Sequence, residues 1–168
     1  MKCFIISIVS LISIGQPLDA FAEEISGQVK VFGNAGSKTV KLVKPGEYDG
    51  PSLCSNDLAT KISSISNMQL MVEGEWGEMG KKKIKCMEAS AFKVLTTSTG
   101  RPAVVGIIEK SDRGFELRDN EGKTYEFKKL PKGLKSMVGK KVIVGLKQMN
   151  SPNSLTSSHK VVSYTVYP

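Results

Sequence analysis

The chain runs through one order of elements twice, which limits it to two small units in tandem or one sandwich built from both. In the first pass, ISGQVKVFG (25–33) alternates Ile25, Gly27, Val29 and Val31 on one side, and KTVKLVK (38–44) turns Val40 and Leu42 inward with lysines outward. That period of two is the mark of half-buried strands. After the turn-rich KPGEYDGPS, SNDLATKISSI (55–65) predicts a short helix capped by Asn56 or Asp57 and burying Leu58, Ile62 and Ile65. MQLMVEGEW (68–76) and KKIKCMEASAFKVL (82–95) then read as a hairpin around the glycine loop GEMGKK.

The second pass keeps that order. AVVGIIEK (103–110) puts Gly106 where Gly27 stood, and KKVIVGLKQM (140–149) puts Gly145 in the place of Gly74. GFELRDNEGKTYEF (114–127) is a hairpin turning at Asn120–Gly122, with Phe115, Leu117, Tyr125 and Phe127 inward. LPKGLKSMVG (130–139) predicts a short helix with Leu134, Met137 and Val138 inward, and HKVVSYTVYP (159–168) is the closing strand. The first pass has no clear third strand between Val43 and Cys54.

Residues 1–22 read as a signal peptide rather than as fold. A positive start, an apolar run from Cys3 to Gly15 and a terminal Ala-Phe-Ala place cleavage after Ala22. The run is shorter than the roughly 20 residues of a membrane span, so no transmembrane segment is expected and the protein is periplasmic or secreted. Cys54 and Cys86 are then the two cysteines of the mature chain, and in an oxidising compartment paired thiols usually oxidise. A metal site would need more ligands than His159 and these thiols offer, and the chain has no CxxC or HExxH. A structural bridge joining the first helix region to the last strand of the first unit is the favoured reading, and no metal or cofactor is expected.

Strand, strand, a third strand, short helix, strand, strand, with glycines in mid-strand, resembles the OB-fold, a five-stranded Greek-key barrel. The resemblance implies an all-β chain with short helices, folded as two tandem OB-like five-stranded barrels. The first spans 23–97, a linker covers 98–102, and the second spans 103–168. A single antiparallel β-sandwich is the alternative.

Charge is divided unequally. Residues 23–99 carry a net +1 and residues 100–168 a net +7. Lys128, Lys129, Lys132, Lys135, Lys140 and Lys141 crowd the second short helix, where they would attract polyanions, or simply form a solvated face. Lys81, Lys82 and Lys83 sit in the first unit's last loop beside Trp76, the only tryptophan and a candidate stacking residue. That loop and KQMNSPNSLTSSHK (147–160) join the last two strands of each unit, a position that frames the binding face in OB-folds. Nucleic acid is disfavoured, because the aromatics of 114–127 alternate inward against a charged outer face.

No catalytic motif is present. Glu73, Glu75, Glu78 and Glu88 stand in no recognisable pair. His159 has serines nearby but no GxSxG, and reads as a solvent-exposed residue of a polar loop. The sequence therefore predicts an exported, non-catalytic binding module for a glycan or other polyanionic envelope ligand. The alternative is a protein–protein interaction or structural component of an envelope or secreted complex.

Overall fold

The computed structural model describes residues 22–34, 38–127, 129–149 and 158–168. The expected signal peptide lies outside these residues except for Ala22, as do Lys128 and residues 150–157 of the second long loop.

The protein is all-β with two short helices among the described residues. Strands β1 (Glu23–Phe32), β2 (Thr39–Val43), β3 (Gln69–Met79) and β4 (Ile84–Thr96) form one antiparallel sheet in the order β2-β1-β3-β4. Strands β5 (Ala103–Ser111), β6 (Gly114–Asp119), β7 (Thr124–Phe127), β8 (Lys141–Met149) and β9 (Ser158–Val166) form a second, ordered β7-β6-β5-β8-β9. Helices α1 (Asp57–Ser63) and α2 (Lys132–Lys135) sit at the same place in each half, before its last two strands.

Neither sheet closes into a barrel, which corrects the expectation of two five-stranded barrels. The first has four strands because the segment after β2 pairs only at Ser52 and Leu53. Ser52 bridges antiparallel to Lys41, and Leu53 bridges parallel to Met87. Those residues tie the outer edges of β2 and β4 through Leu53 N–H to Val40 O (2.8 Å) and Cys54 N–H to Met87 O (2.9 Å). The Cys54–Cys86 disulfide (Cα–Cα 5.1 Å) fixes the same segment to β4. It therefore clamps the stub ahead of α1, not the helix itself. In the second sheet the outer strands β7 and β9 meet at Tyr125 and His159, whose rings pack edge to face at 5.4 Å. His159 is thus a half-buried strand residue, not part of a solvated loop.

Local signals act as the sequence predicts at α1. The Asn56 side chain accepts from Ala59 N–H at 2.7 Å, satisfying one orphan donor of the first turn. Ile62 and Ile65 are buried beneath the first sheet. Helix α2 ends at Lys135, so Leu134 is buried but Val138, expected inward, lies past the helix and is 40% exposed. The mid-strand glycines occupy equivalent places: a Cβ on Gly27 would strike β2 at Leu42, one on Gly106 would strike β6 at Arg118, and one on Gly74 would strike β4 at Glu88. Register shifts occur at Glu73/Gly74 in β3 and Gly145/Leu146 in β8, so each half bends its penultimate strand at its glycine.

Two cores result, and they share a strand. The first is built from β1–β4 and α1, with Val29, Leu42, Leu70, Val72 and Met87 at its centre. The second gathers Ile108, Leu117, Phe127, Leu134, Val142 and Val144. Ile143, between those two valines, is fully buried in the first core instead, with Ala103, Val105 and Tyr167 packed alongside it. The expected linker 98–102 lies in a turn joining β4 to β5, where Thr97 N–H donates to Arg101 O (2.8 Å) and Gly100 N–H to Thr97 O (2.9 Å).

Candidate functional site

The candidate residues of the sequence fall in two separate places. On the first sheet, Trp76 stands opposite Met87 in the β3–β4 ladder and is half-buried against the first core. Its indole N–H donates to Glu23 Oε2 at 2.6 Å, and Lys85 Nζ lies 4.4 Å from the ring centroid. The ring is already engaged on both counts, which leaves less of it for stacking. Lys81, Lys82 and Lys83 occupy the exposed β3–β4 turn, and Lys83 approaches Glu78 at 3.8 Å, an exposed pairing of small consequence.

The second place is the region of α2. Lys129, Lys132, Lys135 and Lys140 are all exposed, and among the described residues none has a carboxylate within ion-pairing distance. Lys132 and Lys135 are three apart on one helix face. Lys141 differs: it is half-buried with Nζ 4.3 Å from the Tyr167 ring centroid, a cation–π contact. The chain carries eight lysines and no aspartate or glutamate after Glu126. Helix α2, β8 and β9 thus fold from a stretch with no acidic side chain to neutralise them. Two acids elsewhere in the second sheet, Glu109 and Glu116, pair with Arg118 at 3.5 Å and 3.7 Å.

A third feature was not read from the sequence. A cleft of about 300 Å³ opens where the two sheets meet. Phe92 and Lys93 of β4 form one side, Val105 of β5 lies along it, and Asn120 and Glu121 of the β6–β7 turn face it with Tyr125 and Tyr167. The Phe92 and Tyr167 rings stack at 5.6 Å with planes 10° apart. Burial raises the Tyr167 phenol above its ordinary pKa of 10.0, so the hydroxyl stays neutral. No single stretch could have revealed this site, because Phe92, Asn120 and Tyr167 come together only through the shared core.

No group of three or more histidine, cysteine or carboxylate side chains suited to a metal ion occurs among the described residues. No described helix is long and apolar enough to cross a membrane. No protein-family model, curated protein or solved structure matches the chain.

Proposed function

We propose that the protein is an exported, non-catalytic binding module that recognises a polyanionic or glycan ligand of the cell envelope, with its principal surface around α2. The observation that supports this reading most is the run after Glu126, which has no acidic residue and in which Lys129, Lys132, Lys135 and Lys140 are exposed and form no ion pair among the described residues. Such a surface concentrates anionic ligands and speeds their encounter, with an effect that weakens as salt screens it. The proposed architecture beneath it is OB-like in both halves. It is supported by the order β7-β6-β5-β8-β9 with the helix before the last two strands, the order that an OB barrel opened between its third and fifth strands would have, and by the Ser52–Leu53 stub, which lies where a third strand of the first half would run.

The test is retention of the protein on an immobilised sulfated polysaccharide across a salt gradient. Lys132→Glu, Lys135→Glu and Lys140→Glu together should release it at markedly lower salt, while Lys81→Glu and Lys82→Glu should change little. Equal behaviour of wild type and the triple variant would refute the α2 surface. A protein partner is the second reading, supported by the exposed Ile107 of β5 and Val162 and Val166 of the edge strand β9. Binding through those residues would persist at high salt.

A further inference from the structure

We infer that the cleft between the two sheets is a subsite for an uncharged saccharide, in which sugar C–H groups pack along the uncovered edges of the stacked Phe92–Tyr167 pair while Asn120 and Glu121 pair with its hydroxyls. The cleft lining sets one cation, Lys93, against two carboxylates, Asp119 and Glu121, and the nearby Lys123 and Lys141 are held over the Tyr125 and Tyr167 rings, so the cleft lacks the excess of unpaired cations seen around α2. It therefore does not complement the polyanion for which the α2 surface is proposed, and a neutral ligand suits it better.

Its walls divide by chemistry as a sugar does. A pyranose ring presents an apolar C–H face and an equatorial belt of hydroxyls that both donate and accept. Aromatic rings offer broad apolar contact at low conformational cost, and here they are held in place. Tyr167 is fixed by the Phe92 stack, by Lys141 over its ring and by its backbone N–H donating to Lys141 O at 3.0 Å. Tyr125 is braced by the His159 edge contact, and Lys123 lies 5.0 Å from its centroid.

The polar wall is equally set. Asp119 Oδ1 accepts from Glu121 N–H (2.9 Å) and Lys123 N–H (2.8 Å), which locks the turn carrying Asn120 and Glu121. Their own side chains form no hydrogen bond or ion pair among the described residues. An amide supplies two donors and an acceptor and a carboxylate accepts only, a set that hydroxyls can satisfy from either side. The volume of about 300 Å³ stands at the small end of the roughly 300–1,000 Å³ seen for ligand sites, room for one or two sugar rings. Because both sheets contribute walls and the joining turn is hydrogen-bonded, the subsite is built before ligand arrives.

This assignment rests on the binding-module reading but not on the lysine surface. The experiment is an amide NMR titration of the ¹⁵N-labelled protein with maltose, cellobiose and N,N′-diacetylchitobiose. At least one of them should shift the amides of Phe92, Lys93, Asn120, Glu121 and Tyr167, with a midpoint on the order of 1–10 mM. Asn120→Ala with Glu121→Ala, both on an exposed turn, should weaken that response at least tenfold, as should Tyr167→Ala. The triple lysine variant should leave it unchanged. Absence of shifts with all three disaccharides at about 50 mM, or shifts indifferent to the Asn120/Glu121 change, overturns the assignment. Loss of polysaccharide retention alone would remove the α2 reading and leave this one standing.

Discussion

Truncating Ile143 to alanine asks whether the halves fold as one. Ile143 belongs by strand to the second sheet and by burial to the first core, where it is fully enclosed with Val29, Leu70 and Met87. The change deletes three carbons, a transfer loss of about 2.4 kcal/mol at about 0.8 kcal/mol per buried methylene. The space left between two packed sheets cannot fully collapse, so the total rises to about 3–4 kcal/mol, within the range for such truncations. With a urea slope of about 2 kcal/mol/M, the unfolding midpoint should fall by about 1.5–2 M. Trp76 is the only tryptophan and packs against the first core, so its fluorescence reports that half selectively. The Trp76 transition should shift by the full amount although the substitution lies in β8. A Trp76 midpoint that stays within about 0.2 M of wild type, while NMR signals of β5–β9 are lost earlier, would refute the shared core.

Two other outcomes follow from the same packing. Replacing both Cys54 and Cys86 by alanine frees a loop of sequence separation 32. Stability should fall by about 3–4 kcal/mol, read as a drop in urea midpoint, and an unchanged midpoint would show that the Ser52–Leu53 bridges hold the segment unaided. The raised phenol pKa of Tyr167 means that the folded protein holds this proton more tightly than the unfolded chain. That contribution is fully present below pH 10 and is lost as pH rises through the folded value. Stability should therefore decline on the alkaline side, and Tyr167→Phe should flatten that decline in denaturation series around and above pH 10; an identical slope in both proteins would discount the effect.

Much of the architecture was legible because it rests on short-range pattern. Alternation placed Val29, Val40 and Leu42 inward, and Asn56 announced α1 by the cap that it supplies. The duplicated order, with its paired glycines, is present in the structure strand for strand except at the first half's third position. There the pairing is only two residues long, too short to carry a period. The apolar run Val142-Ile143-Val144 held a further clue, since a strand without alternation is buried on both faces, yet what lies on each face is a long-range fact. The same holds for the cleft. Val138 was misread because a helical pattern was extended over a segment whose helix stops after one turn.

The turn from Thr97 to Arg101 has a consequence for how copies of this protein can associate. Exchange of halves between two chains requires the connecting segment to straighten, and here straightening would break the Thr97–Arg101 and Gly100–Thr97 backbone bonds. It would also draw Thr99 away from Ser163, which its hydroxyl meets at 3.2 Å, and Gly100 out of its positive-φ conformation at 73°. Domain swapping exchanges an identical element between protomers through such a hinge, and its cost includes whatever bonds the hinge makes in the closed form. A chain whose hinge is itself a hydrogen-bonded turn must give up those bonds before its β5–β9 sheet can leave its own β1–β4 sheet, which sets a cost on any exchange of halves.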